Sequence, residues 1–469
     1  MIFEWLFIKI SMLKIGDKKL INGWAFYDWA NSVYSLVIST AVFPLYYSAV
    51  TDGKTVFFIG MKWGHPDSLY SYALSFSFLV VAFISPILSG IADYTGSKKK
   101  FMKFFCWMGG LSVASLYFFD GLDTVWIGII FTILASIGFW ASLVFYNAYL
   151  PEVAHQDQQD RASAKGFIYG YTGSVLLLIL NLAMIMYPGI FGFDVSIDQA
   201  IRINGTEVQI AEAIKAAEST ASSMASRISF VLVGVWWIGF AQITFKRLPN
   251  DVYNKEPKED YIWRGFRELK VVAKEVVNYP VLKRFLISFF LLSIGVQTII
   301  LMAAIFGSTE LGLPTMNLIL TILLVQIVAI FGAFVFSRLS EKWGNIKALK
   351  VTILIWMIVC FAAFMLDKSQ DNVAYYFYGL GVLLGFVQGA IQSLTRSTYS
   401  KLLPETEDHA TYFSFYDVTE KIAIVLGTFV YGFLYEITDS MQWSVLCLAI
   451  FFLASFIVLS TLKKTKHVY

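Results

Sequence analysis

Cysteine, histidine and charge are all scarce in this chain of 469 residues. The three cysteines, Cys106, Cys360 and Cys447, lie far apart inside apolar stretches. Such spacing excludes a disulfide framework and a cysteine metal site, and reads them as small buried apolar residues. The four histidines, His65, His155, His409 and His467, fall in polar connections or the tail, so neither metal clustering nor an intramembrane proton relay is expected of them. Charged residues make up only 15%, with Lys+Arg 36 against Asp+Glu 33, a balance too even for a nucleic-acid partner. P-loop, zinc and histidine-acid signatures are missing, and Ser, Thr and Tyr have no activating bases beside them, so no enzyme, metal or cofactor is expected. The first eight residues are apolar apart from Glu4, but the stretch is short and lacks a small-residue cleavage site; it is not read as a cleaved signal.

What the chain has instead is apolar length. Hydrophobic residues reach 57% and mean hydropathy is +0.65, against about 45 to 50% apolar in ordinary globular domains. The surplus has to face lipid. A helix needs roughly 20 apolar residues to cross the hydrocarbon core, and twelve windows qualify: 24–48, 69–92, 101–119, 124–147, 165–187, 227–245, 282–306, 314–337, 347–366, 373–395, 412–436 and 441–462. The expected fold is an all-α membrane protein of twelve transmembrane helices in two pseudo-symmetric six-helix bundles. Most bases fall at the N-terminus, in the even-to-odd connections and in the C-terminal tail, while Lys54, Lys62, Arg202, Lys215 and Lys368 lie on the opposite side. Because Lys and Arg concentrate on the cytoplasmic side, both termini are expected there.

The connection 246–281 is rich in both charges and separates a bundle at 1–245 from one at 282–469. Within it Trp263, Phe266, Leu269, Val272 and Val276 recur at helical spacing among bases, which describes an interfacial amphipathic helix. A second long connection, 188–226, contains an alanine-rich helical pattern from Glu207 to Ser226 and an Asn204-Gly-Thr206 sequon, and no function is assigned to it.

Two short segments mark a duplication: Ser89-Gly-Ile-Ala-Asp93-Tyr-Thr-Gly96-Ser-Lys98-Lys99-Lys100, and Ser337-Arg-Leu-Ser-Glu341-Lys-Trp-Gly344-Asn-Ile-Lys347. Each sets an acid three residues before a glycine that lets the backbone reverse, with bases following. Six plus six helices around a central linker, with this turn after the second helix of each half, resemble the major facilitator superfamily of secondary transporters. The resemblance implies that Asp93, Gly96, Lys98, Lys99, Glu341 and Gly344 latch the halves on the cytoplasmic side. Ser89 stands where the superfamily has its first glycine. The lysine cluster also suits a topogenic role.

A narrower resemblance rests on Trp24-Ala-Phe-Tyr27-Asp28-Trp29-Ala-Asn31-Ser32-Val-Tyr34, Gly295-Val-Gln297-Thr-Ile-Ile300, Gln388-Gly-Ala-Ile-Gln392-Ser-Leu-Thr-Arg396-Ser with Pro404 after it, and Phe413-Ser-Phe-Tyr416 through Lys421 and Gly427. Together they are similar to the vacuole-effluxer-like family, whose fungal namesake is an autophagy-related amino-acid effluxer; this chain has the look of a bacterial member.

Asp28, Asn31 and Ser35 follow three- and four-residue steps along the first helix, a polar face that lipid would not reward. Asp28 lies one or two turns inside its helix, so a first-turn dipole and interfacial water are an alternative account of it. In the superfamily the first, fourth, seventh and tenth helices line the cavity, which nominates Asp28, Asn31, Tyr34, Tyr146, Asn147, Gln297, Gln388 and Gln392 for substrate or coupling roles. Gln388 and Gln392 share a face at i, i+4, and interhelical packing bonds are the alternative for any one amide. Asp417 and Lys421 have the spacing of an intrahelical pair. With Glu420, Arg396 and the Lys98 to Lys100 cluster they are expected to meet in a cytoplasmic gate. The fourth helix lacks an arginine, and Ile294 stands where the family resemblance implies an acid, which counts against proton coupling by the family pattern.

These readings converge on a transporter of a small polar solute, an amino acid or related metabolite, working by alternating access as a monomer in a bacterial plasma membrane. Its partners are the solute, the lipid bilayer and a coupling ion, proton or sodium. A transport-inactive transceptor or scaffold and a polytopic membrane enzyme are the rival readings.

Overall fold

Every apolar window becomes one helix, because in hydrocarbon each backbone N–H and C=O has to be satisfied within its own segment. The computed structural model describes residues 14–51, 54–63, 66–249 and 261–462. Among these residues twelve spans are long and apolar enough to cross a membrane: Lys18–Thr51, Leu69–Thr95, Lys98–Phe118, Leu122–Val153, Gln159–Met186, Glu207–Arg247, Pro280–Glu310, Met316–Trp343, Asn345–Phe364, Val373–Leu402, His409–Thr438 and Met441–Ser460. They are numbered first to twelfth in chain order below.

Packing repeats between the halves. The first span lies against the fifth and sixth as the seventh lies against the eleventh and twelfth, and the second–fourth and third–sixth pairs recur as eighth–tenth and ninth–twelfth. Across the middle the fifth span meets the eighth and tenth, and by the same symmetry the eleventh meets the second and fourth. The result is two six-helix bundles facing each other.

Local chemistry explains where the helices bend and end. The first span passes from α-helix at Lys18–Val33 into a π-helix at Tyr34–Ala41 before resuming at Phe43–Thr51, and the seventh ends in a π turn at Phe306–Glu310. The second and eighth spans each stop at a residue that only glycine adopts easily, Gly96 at φ +63° and Gly344 at φ +84°. Close helix crossings occur where glycines remove side chains. A Cβ on Gly389 would sit 2.0 Å from the Ala329 carbonyl oxygen, and one on Gly427 would sit 2.1 Å from Thr298 Oγ1.

Outside the spans, strands Val56–Phe58 and Met61–Trp63 form an antiparallel hairpin. The alanine-rich segment from Glu207 does not stand apart: with no Gly or Pro to interrupt it, it runs into the sixth span as one helix, Glu207–Arg247, started by a capping box of Thr206 and Gln209. Asn204 ends the short helix Gln199–Asn204. The linker helix forms at Tyr261–Asn278 and packs along the second span, with Val272 buried. The side chains of Trp263, Phe266 and Leu269 lie outside the described residues.

Candidate functional site

A carboxylate and a guanidinium from opposite halves meet inside the protein. Asp28 of the first span is 5% exposed and Arg396 of the tenth is 3% exposed. Both terminal nitrogens of Arg396 lie 3.3 Å from Asp28 Oδ2. Tyr146 donates its hydroxyl to the same oxygen at 2.8 Å. Arg396 also donates to Ser163 Oγ at 2.9 Å, to the Ser163 carbonyl at 2.8 Å and to Asn147 Oδ1 at 3.3 Å. Its planar head lies over Phe167 at 4.2 Å, with Trp24 at 5.0 Å and Tyr146 at 5.4 Å. Trp24 in turn stacks on Tyr146 and donates to its carbonyl. Buried charge survives only when paired and hydrogen-bonded, and here the first, fourth, fifth and tenth spans supply the partners.

Space for this pair comes from the fifth span. A Cβ on Gly166 would fall 2.4 Å from Asp28 Oδ2 and 2.9 Å from both Arg396 Nη2 and the Tyr146 hydroxyl, while Gly170 and Gly173 allow Ser32 and Trp29 to approach. Gly166, Gly170 and Gly173 form a small-residue stripe of the kind that brings membrane helices together.

Nearer the signature turns, two further clusters join the halves. In one, Lys98 pairs with Glu152 and lies 3.8 Å from Asp93, and Glu152 also meets His409 Nδ1 at 3.0 Å. Asp93 accepts the backbone N–H groups of Ala410 at 3.2 Å and Thr411 at 2.8 Å, and the Thr411 hydroxyl at 2.9 Å. The turn acid of one half thus caps a helix of the other. In the second cluster Asp160 accepts from Asn345 at 2.7 Å, Lys401 at 2.7 Å and Ser340 at 2.9 Å. Glu341 pairs with the exposed Arg161. Glu275 of the linker helix accepts from the Tyr412 hydroxyl at 2.6 Å. Just before the eleventh span, partial burial and the nearby Glu275 carboxylate raise the pKa of Asp408 above its ordinary value. At the other end, polar contacts among the described residues stay inside one half: Arg227 with Asp120 and the Tyr117 carbonyl, and Glu310 with the Met441 N–H.

A third cluster sits deeper along the eleventh span. Lys421 lies 3.0 Å from Asp417 Oδ1 and 3.4 Å from Glu420 Oε2, with its ammonium 3.4 Å from the centre of the Trp140 ring in the fourth span. Gln297 of the seventh span donates to Glu420 Oε1 at 2.7 Å.

The placement corrects several expectations. Arg396 does not meet the Asp417 to Lys421 group; it reaches the first span and binds Asp28. Asp28 is therefore held by a guanidinium and a phenol. Tyr34 lies off the face of Asp28: it is buried against Phe139 and Trp237 in the core of the first half, six residues and about 240° of α-helical rotation from Asp28. Asn31 is 1% exposed, with Nδ2 unpartnered. Gln388 is buried, while Gln392 accepts from the Tyr171 hydroxyl at 2.6 Å, across the halves. Lys99 donates to the Leu248 carbonyl at 2.7 Å. His409, set aside with the other histidines, joins a cross-half cluster. Sequence reasoning missed Gly166, Ser163, Asp160, Glu152 and Trp140. The glycine spacing of the fifth span was the available signal for the first of these; the others carry none without knowledge of which spans face each other.

Comparison with known proteins agrees with this architecture. The family described as vacuole effluxer Atg22 like matches residues 16–468. An uncharacterized MFS-type transporter YxiO of Bacillus subtilis (strain 168) is 32% identical over 441 residues, 94% of each chain. Autophagy-related protein 22-1 of Penicillium rubens is 25% identical over 84% of this chain and 75% of its own. Among solved structures, the major facilitator transporter FucP in the outward conformation superposes with a TM-score of 0.66 at 14% identity, covering 95% of this chain and 98% of its own. A bacterial homologue of ferroportin in an outward-facing state gives 0.62 at 13% identity, over 95% and 99%. The Bacillus relative and FucP are named as transporters and the ferroportin relative as a homologue of one, and with its twelve spans the chain is an integral multi-pass membrane protein. It belongs to the vacuole effluxer Atg22 like family, within the major facilitator superfamily of membrane transporters.

Proposed function

We propose that the protein is a secondary transporter that moves a small polar solute, an amino acid or related metabolite, by alternating access driven by a proton or sodium gradient. The observation that carries this reading is the Asp28–Arg396 pair. Each half contributes one charge, both are buried, and together they offer what a zwitterion needs: a guanidinium that takes a carboxylate in two parallel bonds, and a carboxylate for an ammonium. A solute that took over both charges would replace the bond between the halves with bonds to itself, and so loosen the joint it occupies. Tyr146, Asn147 and Gln392 line the same level as orienting groups, while the Lys98–Glu152–His409 and Asp160–Lys401 clusters serve as the gate that opens and closes.

The distribution of bases assigns the turn-bearing end to the cytoplasm, with both termini there. The clustering of cross-half bonds at that end then corresponds to a state closed inward and open outward, the state named for FucP and the ferroportin homologue. The units 1–245 and 282–469 act as the two moving bodies and 246–281 as their strap, in a monomer of a bacterial plasma membrane. The effluxer description of the family supports solute movement, and the paired guanidinium and carboxylate make amino acids the class to test first.

A thermal-shift screen of purified protein against amino acids, dipeptides, sugars, nucleosides and organic acids tests this, since ligand that binds only the folded state raises its stability. The expected result is a shift by amino acids that Asp28→Asn abolishes, with matching loss of uptake into proteoliposomes. A shift by sugars alone, or one unaffected by Asp28→Asn, overturns the reading.

A further inference from the structure

We infer that Asp417 is the residue that binds and releases the coupling proton, in a site built by the fourth, seventh and eleventh spans and separate from the Asp28–Arg396 pair. The charges in this cluster do not balance. Asp417 and Glu420 bring two carboxylates, and Lys421 brings one ammonium. Asp417 is 6% exposed and Lys421 is 2% exposed. They lie about 12 and 18 Å along the helix from its start at His409, at 1.5 Å per residue, and therefore within the span and not at its end. Every strong bond in the cluster is used but one: Asp417 Oδ1 holds Lys421, Glu420 Oε1 holds Gln297 and Glu420 Oε2 faces Lys421, whereas Asp417 Oδ2 is fully buried with no partner. An ionised oxygen in that position is unfavourable, and addition of one proton removes the surplus charge at the atom left open.

Neighbouring charges are engaged elsewhere. On the second span Asp93 holds Ala410 and Thr411, on the fourth Glu152 holds Lys98 and His409, on the tenth Arg396 holds Asp28, and Glu275 of the linker helix holds Tyr412. The fourth span's other acid, Asp123, is at its far end. On the seventh span, Lys283 and Arg284 lie in the first turn, and Glu310 at the end accepts from the Met441 N–H. The twelfth span carries no charged residue. A sodium ion fits the cluster poorly, because it takes oxygen ligands and here the groups facing the carboxylates are an ammonium and an amide N–H. In the step proposed, an O–H bond forms at Asp417 Oδ2 with a proton from water on one side of the membrane, and the same bond breaks to return it to water on the other.

The inference rests on the transport function proposed above, and infrared spectroscopy separates the two. Protein in proteoliposomes is stepped in pH and, separately, in sodium concentration while the carboxylic acid C=O stretch is recorded in H2O and D2O. The expected result is a titrating band that Asp417→Asn removes and sodium leaves unchanged. Persistence of every titrating band in Asp417→Asn, or a band displaced by sodium, overturns the assignment. Glu420→Gln is the second variant, used if Asp417→Asn does not assemble: it keeps the band and shifts its midpoint, and an unmoved midpoint overturns the assignment. In parallel, uptake of a radiolabelled amino-acid mixture is followed. Asp417→Asn keeps exchange of internal for external solute and loses accumulation driven by a pH gradient. If the unsubstituted protein moves no amino acid, the transport reading fails while the infrared result still decides whether Asp417 binds a proton.

Discussion

The two buried polar sites occupy equivalent places in the repeat and are built on opposite plans. At the first, Asp28 of the first span lies against Gly166 of the fifth and accepts from Tyr146 of the fourth, and the tenth span of the other half sends in Arg396. At the second, the seventh and eleventh spans hold Glu420 and Lys421, and the fourth span of the other half sends in Trp140. Asp28 thus takes its counter-charge from across the interface, whereas Lys421 has its counter-charge four residues back on its own helix and meets an aromatic face across it. Parting the halves would strip Asp28 of its guanidinium but leave the Asp417–Lys421 pair whole. Duplication supplied one scaffold, and the placement of a single partner made one site a joint between bodies and the other a unit that travels with its own body.

Arg396→Met presses hardest on that difference. It leaves Asp28 buried without its cation, and a cost of about 3 to 5 kcal/mol is expected for breaking a buried pair by removing one partner. This should appear as a large fall in melting temperature in detergent. The Asp28→Asn/Arg396→Gln double variant should cost less than the sum of its singles, and strict additivity would mean that the two residues do not act as a pair. Gly166→Ala comes next: overpacking is expected to cost about 1 to 3 kcal/mol and to abolish uptake, because the new methyl occupies the place of Asp28 Oδ2. Gly427→Ala should cost a comparable amount through Thr298 and the Ile294 carbonyl, with its stronger effect on pH-driven accumulation. Gln297→Leu, which removes one bond to Glu420, should cost about 0.6 to 2 kcal/mol, the range of interhelical bonds in membranes. Arg161→Ala marks the low end; its side chain is 63% exposed, so the melting temperature is expected to stay within error.

The spans were legible in the sequence because hydropathy over 20 residues is a property of the chain alone. Asp28 was legible for the same reason, as an acid where lipid permits none without a partner. What pairs with it was not. Asp28 and Arg396 stand 368 residues apart, and no linear pattern states which face of the tenth span meets the first. Nearness in the chain groups Arg396 instead with Asp417 and Lys421. Tyr34 belongs to the motif but not to the Asp28 direction, since six residues of α-helix turn it about 240° away and into the core. Trp140 carried no mark at all, one aromatic among many, and only the position of Lys421 gives it a role.

The contact between Asp93 and the start of the eleventh span has a consequence for measurement. The first turn of any helix has amide protons with no partner inside that helix, and here the N–H groups of Ala410 and Thr411 borrow theirs from the opposite half. Their protection from solvent is therefore a readout of whether the halves touch. Hydrogen–deuterium exchange at these two amides would time each separation of the bundles, with no added label and before any solute is known.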